Sequence, residues 1–225
     1  MSIFTKLQPV APNHLCPLCD ATAIHWFSED ARRVYYQCQQ CQLVFADRLS
    51  LLSPDAELAQ YQLHNNDIAD SGYRAFLSRL ATPLLQHLPG TGLQGLDFGC
   101  GPGPLLAQIL TEAGHKMHIW DPFFANQPAV LQQQYDFICC TEAIEHFISP
   151  SVEWQLWQQL LKPQAILAIM TKRYTDAIAF AGWHYKNDPT HVSFFAEYTF
   201  AWLAQRDGLI VRYMANDVVL LQKAG

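Results

Sequence analysis

The chain has 225 residues, half of them hydrophobic and 15% charged, which supplies a full core and excludes wholesale disorder. The net charge is −6, and residues 1–48 balance Lys6, Arg32, Arg33 and Arg48 against Asp20, Glu29, Asp30 and Asp47, so the remainder carries the whole excess. The lack of a Lys/Arg cluster argues against a nucleic-acid backbone as the main partner, and no apolar stretch reaches the roughly 18 residues of a membrane span.

The opening MSIFTKLQPVAPNHL has no basic segment leading into a long apolar one, so a cytoplasmic protein is expected. Two Cys-x-x-Cys pairs follow, Cys16-Pro17-Leu18-Cys19 and Cys38-Gln39-Gln40-Cys41, with 18 residues between them. Without an export signal such pairs point to metal rather than disulfides. Four thiolates at this spacing suit a tetrahedral Zn²⁺ held between two tight knuckles. With four cysteine ligands no coordination position stays open, so the metal is read as structural. His14 and His25 lie near enough to replace a ligand, a less favoured set. The stretch between the knuckles carries Trp26, Phe27, Val34, Tyr35 and Tyr36, which predicts a β-hairpin. Residues 1–48 are therefore read as a zinc ribbon that builds part of a substrate surface or docks on a larger domain.

Residues 49–91 read as a helical bridge. Ser53-Pro54-Asp55-Ala56-Glu57 has an N-cap, Pro at the first helical position and acids in the first turn. Tyr61, His64, Asn65 and Asn66 end that helix as a solvated stretch or as a lid over a ligand mouth. A second helix, about residues 72–87, lines up Tyr73, Phe76, Leu77, Leu80 and Leu84, and Pro89-Gly90 ends it.

The centre of the chain is Leu96-Asp97-Phe98-Gly99-Cys100-Gly101-Pro102-Gly103, an apolar run ending in alternating glycines. Leu105, Leu106, Ile109 and Leu110 follow at helical spacing, so the pattern is strand, tight turn, helix. Asp121 ends the next apolar run, where a carboxylate can hold ribose hydroxyls, and Pro122-Phe123-Phe124 beside it could flank a base. Residues 125–134 are too few for a full helix and strand, so one strand is expected to be trimmed. Tyr135 to Cys140 reads as a buried strand running into Thr141-Glu142-Ala143-Ile144-Glu145-His146-Phe147, whose polar groups face a ligand crevice. A helix from Ser151 to Leu161 stopped by Pro163, a strand from Ala165 to Met170, a helix capped by Gly208 and a terminal hairpin complete the pattern.

Together, Asp97-x-Gly99-x-Gly101-x-Gly103, the acid Asp121, the Tyr135-Asp136-Phe-Ile strand and Glu142…Glu145-His146-Phe147 resemble class I S-adenosylmethionine-dependent methyltransferases. The segment Trp183-His184-Tyr185-Lys186-Asn187-Asp188-Pro189-Thr190-His191-Val192-Ser193-Phe194-Phe195 resembles the small-molecule methylases of that group. The resemblance implies an α/β, Rossmann-like fold over residues 92–225 with a seven-stranded mixed sheet. It implies S-adenosylmethionine as cofactor. Gly99, Gly101 and Gly103 would lie under the methionine part, Asp97 near its amino group and Asp121 on the ribose. Cys100, Pro122, Phe123, Thr141 and Glu142 complete the expected cofactor set. His191, His146 and Tyr185 are the candidate catalytic residues, with His184 in the same loop. The acceptor is expected to be a small molecule such as a sugar, quinol or other metabolite. The alternatives are an RNA or protein recognised through the ribbon, supported by a basic face of Arg32, Arg33 and Arg48, or a non-catalytic cofactor-binding protein.

Overall fold

The computed structural model describes residues 15–63 and 68–225. His14, His64, Asn65 and Asn66, singled out above, lie outside the described residues.

Both Cys-x-x-Cys pairs fold into the same turn. Asp20 N–H donates to Cys16 O and Gln42 N–H to Cys38 O, each at 3.0 Å, and Asp20 and Gln42 both take φ of 57° just past the second cysteine. Between them β1 (Ile24–Glu29) and β2 (Val34–Cys38) form the antiparallel hairpin that the aromatic run predicted. Asp30 shapes its turn by accepting from the N–H groups of Arg32 and Arg33 at 2.9 and 3.0 Å. β3 (Val44–Ala46) leaves Cys41 and pairs with β2.

The bridge has α1 (Pro54–Tyr61), whose N-cap Ser53 accepts from Ala56 N–H, and α2 (Ser71–His87), capped by Asp70 on Gly72 N–H. Leu77, Leu80 and Leu84 of α2 are buried against the sheet that follows, as their spacing requires.

That sheet comprises β4 (Gln94–Phe98), β5 (Lys116–Trp120), β6 (Tyr135–Thr141), β7 (Leu161–Met170), β9 (Leu209–Ala215) and β10 (Val218–Lys223). Its helices are α3 (Leu105–Glu112), α4 (Pro150–Leu160) and α6 (Glu197–Asp207), while α5 (Ala177–Ala181) packs on β1 and the two-residue β8 (Ser193–Phe194) precedes α6. The strand order is β5-β4-β6-β7-β10-β9, with β5, β4, β6 and β7 parallel and β10 antiparallel to both β7 and β9. The class is the expected Rossmann-like mixed sheet, but among the described residues it has six strands rather than seven. Past Asp121 the chain makes one bridge to Ala125 and a 3₁₀ turn at Pro128–Gln132, and β5 is left at the sheet edge. α4 runs directly into β7 at Leu161, so Pro163 lies near the start of the strand instead of stopping the helix.

β8 joins the other sheet. Val44 pairs with Phe194 and Phe45 with Ser193, giving the order β1-β2-β3-β8. A segment far along the chain thus completes the N-terminal ribbon. Below it, Leu18, Cys38 and Leu43 share one buried cluster with Phe98, Trp157 and Leu167.

Candidate functional site

In a parallel sheet the crevice opens beyond the carboxyl ends of the strands, where the chain order reverses. Here β4 is followed on one side by β5 and on the other by β6, and a cavity of about 480 Å³ lies at that point. All ten expected cofactor residues line it: Asp97, Gly99, Cys100, Gly101, Gly103, Asp121, Pro122, Phe123, Thr141 and Glu142.

The glycine turn is fixed to the end of β5. Gly99 and Cys100 donate to Trp120 O at 2.8 and 3.3 Å, and Gly101 donates to Asp121 Oδ2 at 3.0 Å. With those amides occupied, the place left for an anion is the start of α3, which has no side-chain cap among the described residues. Gly99 has φ of 77°, and a Cβ there would come within 2.6 Å of Ala143 Cβ, so both backbone shape and the approach of the opposite wall require glycine. Asp121 Oδ1 accepts from Phe123 and Phe124 N–H at 2.9 and 3.1 Å, which turns the two rings out to the mouth. Asp97 is 3% exposed, and burial, reinforced by the charge of Asp121, pushes its carboxyl up to about 7 against a backbone hydrogen bond at Ala107.

The opposite wall is Thr141, Glu142, Ala143, His146 and Phe147. Glu142 holds φ of 46°, a left-handed shape uncommon outside glycine, and its N–H is tied to Met170 O at 2.8 Å. Its Oε2 accepts from Tyr185 OH at 3.2 Å. Behind it Glu145 is fully buried and accepts from Thr171 Oγ1 at 2.9 Å and from Tyr185 OH at 2.5 Å. Burial raises both glutamates, and the charge of Glu142 pushes Glu145 further.

The two histidines meet at one end of the cavity with ring centroids 4.7 Å apart, edge to face. His191 Nδ1 lies 2.7 Å from Tyr185 O and His146 Nδ1 lies 3.2 Å from Thr190 O. A carbonyl can only accept, so in both rings Nδ1 carries a proton. Asp188 Oδ2 stands 3.8 Å from His191 Nε2. One ligand atom each from Glu145, His146 and His191 fall within 4.8 Å of one another.

Tyr185 departs from expectation. Tyr185 does not line the cavity: its hydroxyl turns inward to the two glutamates, and burial with their charges holds its proton well above the ordinary tyrosine range. It thereby ties the wall residue Glu142 to the buried Glu145. His184 is exposed, 3.4 Å from Lys172 Nζ. Phe123 and Phe124 are 39% and 36% exposed, so neither is core.

Sequence reasoning missed Glu57, Glu153, Asp188 and Trp120 as cavity residues. Glu57 accepts from Tyr61 OH at 2.7 Å, and the Tyr61 ring lies 5.5 Å from Phe123 and 5.2 Å from His146, which puts the end of α1 over the mouth. Four buried atoms of cavity residues have no hydrogen-bond partner among the described residues: Trp120 Nε1, Thr141 Oγ1, Glu142 Oε1 and Glu153 Oε2. A glutamate on an apolar helix gives no sequence signal of this kind; only packing reveals it.

Away from the cavity, the sulfurs of Cys16, Cys19, Cys38 and Cys41 all fall within 4.8 Å. Cys16 and Cys41 are 3.5 Å apart and Cys19 and Cys38 3.6 Å. Zinc–sulfur bonds of roughly 2.3 Å in a tetrahedron set sulfurs about 3.8 Å apart, so the donor set fits that ion.

A methyltransferase domain family matches residues 67–213. The chain belongs to this family, and it is a class I S-adenosylmethionine-dependent methyltransferase. Among solved structures it is similar to a SAM-dependent methyltransferase from Archaeoglobus fulgidus, with 14% identity over 67% of this chain and 94% of that one and a TM-score of 0.51. It is also similar to magnesium protoporphyrin IX methyltransferase from Synechocystis PCC 6803 with bound SAH, with 12% identity over 76% and 94% of the two chains and a TM-score of 0.48. No curated protein matches the sequence. Among the described residues no helix is long and apolar enough to cross a membrane.

Proposed function

We propose that this methyltransferase binds its cofactor along the glycine turn and Asp121 and methylates a small polar metabolite, such as a sugar or quinol, at the histidine end of the cavity. The observation that carries the proposal is the chemistry of the lining. Asp97, Asp121, Glu142 and Glu153 surround a cavity that a ligand bearing an ammonium and a sulfonium would complement. Asp97 takes the amino group, the start of α3 the carboxylate, and Asp121 a ribose hydroxyl. Pro122 and Phe123 cover the base, with Cys100, Thr141 and Glu142 completing the cradle. Trp120 Nε1 and Glu153 Oε2, both buried without a partner among the described residues, offer a donor and an acceptor to the base edge.

The cofactor supplies an electrophilic methyl group and a good leaving group. What remains for the protein is to hold the acceptor in line and take its proton. His191 Nε2 is the proposed base, oriented by its bond to Tyr185 O, with His146 beside it as the second polar contact. Tyr185 serves as a positioning residue through Glu142. The ribbon, residues 1–48, is proposed to hold one structural zinc, residues 49–91 to form the bridge and lid, and residues 92–225 the methyltransferase domain.

Against a macromolecular acceptor stands the placement of the ribbon arginines. Arg32 and Arg48 are exposed but Arg33 is 8% exposed and turned into the protein, so the three do not form one basic face. Incubation with methyl-labelled cofactor and a cell extract, separated by size, tests the proposal. Label in the small-molecule fraction supports it, and label confined to RNA or protein overturns it.

A further inference from the structure

The residue the arginine face was supposed to use is engaged elsewhere. Arg33 Nη1 donates to Pro189 O at 3.3 Å and His191 O at 2.8 Å. Its Nη2 donates to Lys186 O and to Asp188 O, the latter at 2.9 Å. One guanidinium thus gathers four carbonyls of the segment that carries His191. A planar fork of five donors can do this; a lysine point charge cannot.

The ribbon grips the same segment in two more places. Asp30, in the hairpin turn with Arg33, pairs with Lys186 Nζ at 2.6 Å, and the lysine is 4% exposed. On the far side of His191, Ala46 N–H donates to Val192 O at 2.9 Å and β3 pairs with β8. The cysteines feed both grips. Cys38 ends β2, whose other end adjoins Arg33, and β3 starts three residues after Cys41. The opposite side of the segment rests on the cavity wall, where Val192 N–H donates to Glu145 O at 2.9 Å and Ser193 Oγ to Phe147 O at 2.8 Å. The segment is therefore clamped between the ribbon and the strand-end that carries Glu142 and His146.

We infer that the four-cysteine ribbon is the device that positions the acceptor-side histidine, with Arg33 as the positioning residue through which it acts. The four-carbonyl grip sets the path of residues 186–191, and that path sets the distance from Tyr185 O to His191 Nδ1, which fixes the ring and its tautomer. The inference rests on the reading of His191 as the base, but its test does not depend on turnover.

The full-length protein is compared with Arg33→Ala, Arg33→Lys and, as control, Arg32→Ala, whose side chain is exposed. Three measurements are made: hydrogen exchange by peptide, ¹⁵N-histidine NMR, and calorimetry with S-adenosylhomocysteine. In Arg33→Ala, amides of residues 186–194 should exchange about tenfold faster or more while the β7 peptides keep wild-type rates. The His191 ring signals should move away from their wild-type positions, and S-adenosylhomocysteine affinity should stay within about threefold. Arg33→Lys should give a smaller change of the same kind, Arg32→Ala none, and removal of metal by a chelator should likewise quicken exchange over residues 186–194. Wild-type exchange and ring signals in Arg33→Ala overturn the inference. If that variant also loosens β7, Arg33→Lys and the chelated protein decide, and an unchanged segment in either overturns it. Loss of S-adenosylhomocysteine binding by the wild type would instead defeat the proposed function.

Discussion

Asp121 has three of its acceptor sites in use before any ligand arrives. Phe123 and Phe124 fill Oδ1 and Gly101 takes one site on Oδ2, and a carboxylate offers about four. The same side chain therefore shapes the glycine turn, aims the aromatic pair and keeps one lone pair for the ribose hydroxyl proposed above. Replacing it with alanine removes all three functions. Each hydrogen bond to a charged group contributes roughly 1.5–3 kcal/mol, so Asp121→Ala should weaken S-adenosylhomocysteine binding by about 10–100-fold in calorimetry. Asp121→Asn should not rescue it, because an amide NH₂ then meets an N–H on one side or the other. Asp97 adds a pH dependence. Its carboxyl, held up to about 7 by burial, must be ionised if it is to receive the cationic amino group proposed above. Above that pH it is already charged and affinity should be flat. Below it, binding must expel a proton, so affinity should fall by up to about tenfold per pH unit. Titrations at a series of pH values would show the break, and Asp97→Asn should reduce the slope, Glu142 being another cavity carboxyl raised by burial.

Elements were legible in the sequence where the signal is local. The alternating aromatics marked the β1–β2 hairpin, Ser53-Pro54 marked a helix start, Gly208 marked a stop, and the short span after Asp121 marked the lost strand. These follow from side-chain period, capping and chain length, which need no knowledge of distant residues. β8 was not legible. Two residues have no period, and their partner strand lies near the other end of the chain, so only tertiary register defines them. Tyr185 misled for a related reason: a hydroxyl in the loop that carries His191 reads as a candidate catalytic group, and only packing shows it turned to Glu142 and Glu145. The glycine turn shows how tightly a local signal can be tied to its surroundings. Gly99→Ala introduces a Cβ 2.6 Å from that of Ala143 and forces φ of 77° on an L-residue. The backbone strain alone costs about 1–3 kcal/mol, and the clash moves Ala143 together with Glu142. This variant should melt several degrees lower and bind S-adenosylhomocysteine at least tenfold more weakly, both readable by thermal shift with and without ligand.

At the scale of the whole molecule the ribbon and the Rossmann-like sheet are not packed as separate bodies. Leu18, Cys38, Leu43 and Phe45 belong to the same buried cluster as Phe98, Trp154, Trp157 and Val219, and Tyr35, Val44 and Phe194 form a second cluster with Tyr174, Phe180 and Tyr185. Four buried or half-buried thiols stand where the ribbon meets this shared core. Without the proposed zinc they would be small, weakly polar groups close together at the turns where Asp20 and Gln42 take left-handed backbone. Elemental analysis should give about one zinc per chain. Because the apolar contacts cross from ribbon to sheet, chelation should not melt the ribbon alone. It should lower the temperature of a single cooperative transition, seen at once by tryptophan fluorescence, which reports Trp154 and Trp157 in the shared cluster, and by far-ultraviolet circular dichroism. A chelated protein that loses a small early transition and keeps the main one unmoved would instead mean that the ribbon folds as a unit apart, and the shared cluster would contribute nothing to cooperativity.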